Sequence, residues 1–211
     1  MTAAYLHGFA SGPASTKARF FRARLAERGL ALAVPDLAPD FTHVTVSGML
    51  GIVEPLLAQA PTVLLGSSLG GYLAALAAAR APARVPALVL FAPAFDFARR
   101  WEERLGSAAL ARWRAAGTTP VMHYGLGREV PLAIALLDDA RAHPAWPDPP
   151  CPALVFAGRR DDAVPLAAVE RFAAARPNRE LVVLDAGHEL TEVLEPMWER
   201  TAAFLARQAA V

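Results

Sequence analysis

Six short apolar runs punctuate the chain, and longer amphipathic stretches separate them. The runs are Ala3–His7, Leu30–Val34, Thr62–Leu65, Ala87–Phe91, Ala153–Ala157 and Glu180–Leu184. Most are apolar throughout rather than alternating, as strands covered on both faces must be. Strand, helix, strand in repetition predicts βαβ units on a parallel sheet. At 211 residues the chain can bury one sizeable core and is short for two ordinary domains. The expectation is therefore a single α/β domain over residues 1–211.

The intervening stretches read as helices. Ser15 or Thr16 can cap one whose Ala18, Phe21 and Leu25 share a face, with Gly29 ending it. Others are expected over Gly71–Arg80, Leu166–Ala175 and Glu192–Arg207. In Val46–Ala60, Pro55 and two glycines should bend or split the helix. About sixty residues separate Phe91 from Ala153, far more than a crossover needs. Phe97–Ala116 and Val130–Ala142 both read as helices there, followed by a proline-rich return over His143–Pro152. Residues 96–152 are thus expected to form a small helical cap over one edge of the sheet, or an ordinary pair of packing helices, and the two readings are compatible.

The third run ends in Gly66-Ser67-Ser68-Leu69-Gly70. This is Gly-x-Ser-x-Gly between a strand and a helix, where the pattern has physical meaning. Such a turn holds its serine in a strained conformation above the sheet, with small neighbours at Gly66 and Gly70 making room. The same pattern also serves as a plain tight corner. A phosphate cradle of the Walker type would need a lysine after the glycines, and none follows.

A serine nucleophile needs a base, and the base an orienting acid. His188 lies just past the last strand, and Asp161 and Asp162 lie just past the fifth, all on loops leaving the C-terminal ends of parallel strands. His43, His123 and His143 have no such address and read as surface residues. An oxyanion would need two N–H donors: the amide of Leu69, and that of Phe9 on the loop His7-Gly8-Phe9 after the first strand. Gly8 lets that loop turn sharply, and His7 is expected to hold it in place rather than carry protons.

With these residues in hand, the chain resembles the α/β hydrolases from Tyr5 almost to its C-terminus. The resemblance rests on His7-Gly8-Phe9, Val34–Leu37, the Ser68 turn, Ala92–Phe95, Gly158-x-x-Asp161-x-x-Val164-Pro165 and Gly187-His188. The short build and opening segment are similar to small bacterial YqiA-like serine esterases. The resemblance implies a minimal, mostly parallel six-stranded sheet, and it favours Asp161 over Asp162 as the acid. It implies ester hydrolysis through Ser68, His188 and Asp161 and an acyl-enzyme, without cofactor or metal. A thioesterase or acyl-protein thioesterase would use the same residues. A hydrolase-shaped binding protein with little turnover is the reading from another class.

Composition narrows the partners. Net charge is +1, so no long-range field favours nucleic acid. No apolar stretch is long enough for a membrane span, and the N-terminus does not read as a secretion signal. Cys151 is the lone cysteine and can form no intramolecular disulfide. A cytoplasmic protein acting on a small ester or thioester is expected, with a homo-oligomer left open. Trp101, Trp113, Phe95, Phe97 and Leu105 are candidates to line an acyl pocket. Arg99, Arg100, Arg159 and Arg160 are candidates for its mouth.

Overall fold

The computed structural model describes residues 2–209. Its strands are β1 (Thr2–Leu6), β2 (Leu32–Ala33), β3 (Thr62–Ser67), β4 (Leu88–Phe91), β5 (Thr118–His123), β6 (Arg128–Ala133), β7 (Ala153–Gly158) and β8 (Arg179–Leu184). The helices are α1 (Thr16–Ala26), α2 (Val46–Gln59), α3 (Leu69–Arg80), α4 (Phe97–Ala116), α5 (Ala135–Ala140), α6 (Leu166–Ala174) and α7 (Leu194–Ala209). Six strands form one sheet in the order β2-β1-β3-β4-β7-β8, and each pairing within it is parallel.

Because successive strand residues point to opposite faces, the apolar runs feed two separate cores. Ala4, Leu6, Leu64, Leu88 and Val155 pack on one face, beneath α2, α3 and α6. Tyr5, Val63, Val89, Phe91 and Phe156 pack on the other, against α1 and α7. There Phe91 stacks on Phe156, with centroids 5.5 Å apart, and lies 4.7 Å from Phe21 of α1. This two-sided burial is why the strands read as unbroken apolar runs.

The caps follow the local sequence. The Ser15 hydroxyl accepts from the N–H of Ala18 at 3.4 Å, and Gly29 adopts φ +72° just past α1. The Thr45 hydroxyl accepts from the N–H of Gly48 at 3.0 Å and starts α2. That helix neither splits nor ends at Pro55, contrary to the sequence expectation. Pro55 and Gly51, whose carbonyl loses its donor, both lie on the solvent face, so the lost bond is not buried. Meanwhile Val46, Met49, Leu50, Val53 and Leu57 hold the opposite face in the core.

The region between β4 and β7 departs furthest from expectation. Residues 97–116 are helical, but Gly106 (φ 73°, ψ 163°) breaks α4 into two segments. Val130–Ala142 is not one helix: β5 and β6 form an antiparallel hairpin, and only Ala135–Ala140 is helical. The hairpin is a separate two-stranded sheet. Pro120 and Pro131 face each other across it, tolerated because both strands are edges. Gly127 supplies the positive φ (65°) at its turn. The hairpin leans on the loops after β1 and β2, with the Tyr124 N–H donating to Ala10 at 2.9 Å and the Ala133 N–H to Thr42 at 2.8 Å.

Candidate active site

The chain leaves β1 for the sheet edge at β2 and returns to β3 on the other side of β1. The order reverses between β1 and β3, where α/β sheets open a crevice beyond the strand ends. The loops after these two strands carry His7-Gly8-Phe9 and Ser68.

Ser68 has φ 52° and ψ −118°, a conformation costing about 1–3 kcal/mol for a residue with a Cβ. Four backbone hydrogen bonds impose it. Its N–H donates to Phe91, and its carbonyl accepts from Gly71, Tyr72 and Ala94, at 2.9–3.1 Å. The glycines are there for space. A methyl group on Gly66 would overlap the Gly70 backbone, and one on Gly70 would overlap the carbonyls of Leu6 and His7. A Cβ on Gly8 would lie 3.4 Å from that of Ser68, so the β1 loop sits directly against the serine.

His188 Nε2 lies 2.9 Å from Ser68 Oγ, and its Nδ1 lies 2.8 Å from Asp161 Oδ2. With the proton on Nδ1, donated to Asp161, Nε2 is free to accept from the serine hydroxyl. It is Asp161, not Asp162, that reaches the imidazole. Its other oxygen accepts from the N–H groups of Ala163 (2.8 Å) and Val164 (2.7 Å). Burial of this side chain, only 2 % exposed, would by itself raise its pKa. The His188 bond and the two backbone donors outweigh burial and hold the carboxyl below the ordinary value.

A buried lysine, which sequence reasoning passed over, underlies the histidine loop. Lys17 Nζ donates to the Glu189 carbonyl, directly after His188, and lies 3.6 Å from the Glu189 carboxylate. Gly158 meets the same loop, where any side chain would collide with the carbonyls of Ala186 and Gly187.

The N–H groups of Phe9 and Leu69 have no hydrogen-bond acceptor among the described residues. Leu69 opens α3, where first-turn amides lack intrahelical partners. His7 is buried and spans two loops: Nε2 accepts from the Leu37 N–H at 3.1 Å, while Nδ1 lies 3.0 Å from the Gly8 carbonyl. Both bonds suit a neutral ring, and burial lowers the pKa of His7 despite nearby Asp36.

The model of the uncharacterised protein family UPF0227 matches residues 2–206. The chain belongs to this family. No curated protein matches it. Among solved structures, it is similar to alpha/beta hydrolase domain-containing protein 10 from mouse, with TM-score 0.83 and 20 % identity over 98 % of this chain and 90 % of that one. It is also similar to Est1E from Butyrivibrio proteoclasticus, with TM-score 0.80 and 22 % identity over 100 % and 88 % of the two chains. Alpha/beta hydrolase GrgF from Penicillium sp. sh18 gives TM-score 0.77 and 16 % identity over 100 % and 90 %. The fold of this UPF0227 chain is that of the α/β hydrolases.

In the UPF0227 chain, Ser68 and His188 open into a cavity of about 1720 Å³ between the sheet edge and residues 97–133. Phe9, Phe41 and Trp101 form one wall, with Phe9 packed edge-on to Trp101 at 5.0 Å and 5.3 Å from Phe41. Of the aromatic candidates, Trp101, Trp113 and Phe97 line the cavity, as does Leu105. Phe95 does not, being buried in the core against Phe172 at 4.3 Å. Arg99 and Arg100 line it, but Arg159 and Arg160 do not, and Arg160 bonds Asp185 at 2.7 Å. Arg104, unremarked in sequence, takes their place.

His43 is exposed, as expected, but His123 and His143 are not surface residues. His123 packs edge-on to Phe41 at 4.6 Å, and His143 Nε2 lies 3.1 Å from the Ser47 hydroxyl. No helix is long and apolar enough to cross a membrane, and no metal-binding cluster of His, Cys, Asp or Glu occurs, among the described residues.

Proposed function

We propose that this protein is a serine hydrolase that cleaves a carboxylic ester through an acyl-enzyme. The observation that carries the reading is the unbroken run of short contacts from Ser68 Oγ to His188 and on to Asp161. Ser68 Oγ attacks the ester carbonyl carbon while His188 Nε2 takes its proton. The imidazolium that forms lies against the ionised Asp161, which also fixes the ring. The carbonyl oxygen, now negative, is received by the amides of Phe9 and Leu69, both free to donate. As the tetrahedral adduct collapses, the C–O bond to the alcohol breaks and His188 returns the proton to the leaving oxygen. Water repeats the sequence on the acyl-enzyme, releasing the acid and restoring Ser68.

Residues 96–152 act in this reading as a cap on a single domain, setting what the cavity admits. A thioester would be handled by the same atoms, with sulfur as the leaving group. Hydrolysis of a short-chain p-nitrophenyl ester tests the proposal. Ser68→Ala should lower turnover by a factor on the order of 10⁶ if the three residues act as a unit. Undiminished turnover in that variant would sink the assignment. Fluorophosphonate labelling should map to Ser68, and a label on Ser67 or Ser11 would move the nucleophile.

A further inference from the structure

The cations that line the cavity fall into two groups. Arg99 pairs with Asp96 and Glu103, and Lys17 is held by the carbonyl and carboxylate of Glu189. Arg100, Arg104 and Arg171 form no salt bridge with any described residue. Arg171 lies over the Trp146 ring, its Cζ 3.8 Å from the centroid. Arg100 and Arg104, one helical turn apart on α4, have only long bonds to carbonyls. Arg100 Nη1 reaches Phe95, and Arg104 Nη2 reaches Asp162 and Ala163, all at 3.3 Å. Arg104 thus binds the backbone of Asp162, while the Asp162 carboxylate forms no salt bridge. Each guanidinium offers five donors, so most of them remain uncommitted.

Arg100 is half-buried and Arg104 exposed, and the burial of Arg100 together with the like charge of Arg104 pulls its pKa down against the opposing charges of Asp161 and Asp96. Partial burial of Arg100 beside a second cation costs stability, and neither side chain has a carboxylate within salt-bridge distance among the described residues. The obvious internal partner, Glu103, is turned to Arg99 instead. The wall they form shares one cavity with Ser68 and His188.

We propose that the natural substrate carries a second, anionic group, a carboxylate or phosphate, held by Arg100 and Arg104 while Ser68 attacks its ester. This rests on the hydrolase reading above. The planar guanidinium fork fits either oxyanion through paired N–H donors. The cap would then select for charge at one end of the cavity and for apolar surface at the Phe9–Trp101 wall.

The test compares p-nitrophenyl hemiglutarate with the neutral p-nitrophenyl valerate. The wild type should favour the charged ester by about tenfold or more in kcat/KM, less so at high salt. Arg100→Gln and Arg104→Gln should each lower that ratio by about tenfold, chiefly through KM of the charged ester. Arg104→Lys, which keeps the charge and loses the fork, should fall between. Glutarate and phenyl phosphate as competing ligands separate carboxylate from phosphate. A wild type with no preference, or a ratio unmoved in both Gln variants, overturns the proposal. Turnover of neither ester by the wild type would count against the hydrolase reading alone. Calorimetric binding of glutarate or phenyl phosphate, lost in Arg104→Gln, would then still support the subsite, and binding of neither would overturn it.

Discussion

The sheet with its serine turn and the segment from Phe97 to Pro152 are built on opposite principles. In the first, the turn around Ser68 is fitted by backbone and small residues above two cores of large side chains. Positions 69 through 78 of α3 are all buried, and Gly66, Gly70 and Gly158 lie where no side chain fits. In the second, a few aromatic anchors hold a largely exposed surface. Only Phe97 and Trp113 of α4 are buried, the latter donating its indole N–H to Leu132 at 2.8 Å. Among the described residues, the exposed large hydrophobic side chains, Leu105, Met122, Tyr124 and Leu126, all belong to this segment. In the function proposed, the close-fitted framework holds Ser68, His188 and Asp161, and the segment above it is the part free to vary. In the reading proposed here, chemistry belongs to the first region and selection to the second.

Beyond removal of Ser68 itself, the largest expected effect lies in the framework. Asp161→Asn should keep the bonds from Ala163 and Val164 but present an N–H to His188. That forces the ring proton onto Nε2, where it can no longer accept from Ser68. Turnover should fall by about 10⁴, with KM little changed. The carboxylate also has a pH signature. Its pKa is held below the unfolded value of about 3.9, so its stabilisation is present above that pH and lost as pH falls through the folded value. In urea titrations, the stability gap between wild type and Asp161→Asn should be constant near neutrality and narrow below about pH 4. A gap that persists unchanged into strong acid would break the account of how Asp161 is held.

The two regions were also unequally legible. Ser68, His188 and the pair Asp161 and Asp162 could be brought to one edge from sequence because each follows an apolar run whose parallel strand delivers its loop there. The choice of Asp161 within the pair rests on the resemblance. The hairpin could not. Val130, Leu132 and Ile134 alternate, while Leu136, Leu137 and Ala140 follow helical spacing, so one apolar stretch changes period midway and reads as a single helix. The glycines around Leu126 and the paired prolines at 120 and 131 were the available signal for a turn between edge strands. Lys17 was missed because a lysine in a first helical turn usually faces water. Its position four residues before Phe21, and eight before Leu25, marks it as a member of the buried face. Which arginines face the cavity depends on how α4 is set over the sheet, and local sequence does not encode that.

A second expected effect comes from the serine turn itself. Gly70→Ala places a methyl group against the carbonyls of Leu6 and His7, backbone atoms at the C-terminal end of β1 and in the loop that follows it, which cannot step aside. Destabilisation of about 4 kcal/mol or more is expected, measured by denaturant midpoint, with loss of activity in whatever remains folded. A variant of near wild-type stability would mean that the β1–α3 contact is looser than it looks.

Gly106→Ala is the counterpart above the cleft, and its effect should be smaller and of a different kind. A Cβ at Gly106 meets nothing within 4 Å, so no clash arises. The cost is purely conformational: φ 73° and ψ 163° lie in a region almost closed to other residues, at about 1–3 kcal/mol. The chain can relieve that strain by straightening α4, which would shift Trp113 relative to Leu132 and Trp101. Stability should therefore drop modestly, turnover of a short acetyl ester should hold, and the dependence of kcat/KM on acyl length should change. A uniform loss across acyl lengths would instead tie the break in α4 to the relay, and the division between a fixed framework and an adjustable cover would fail at that point.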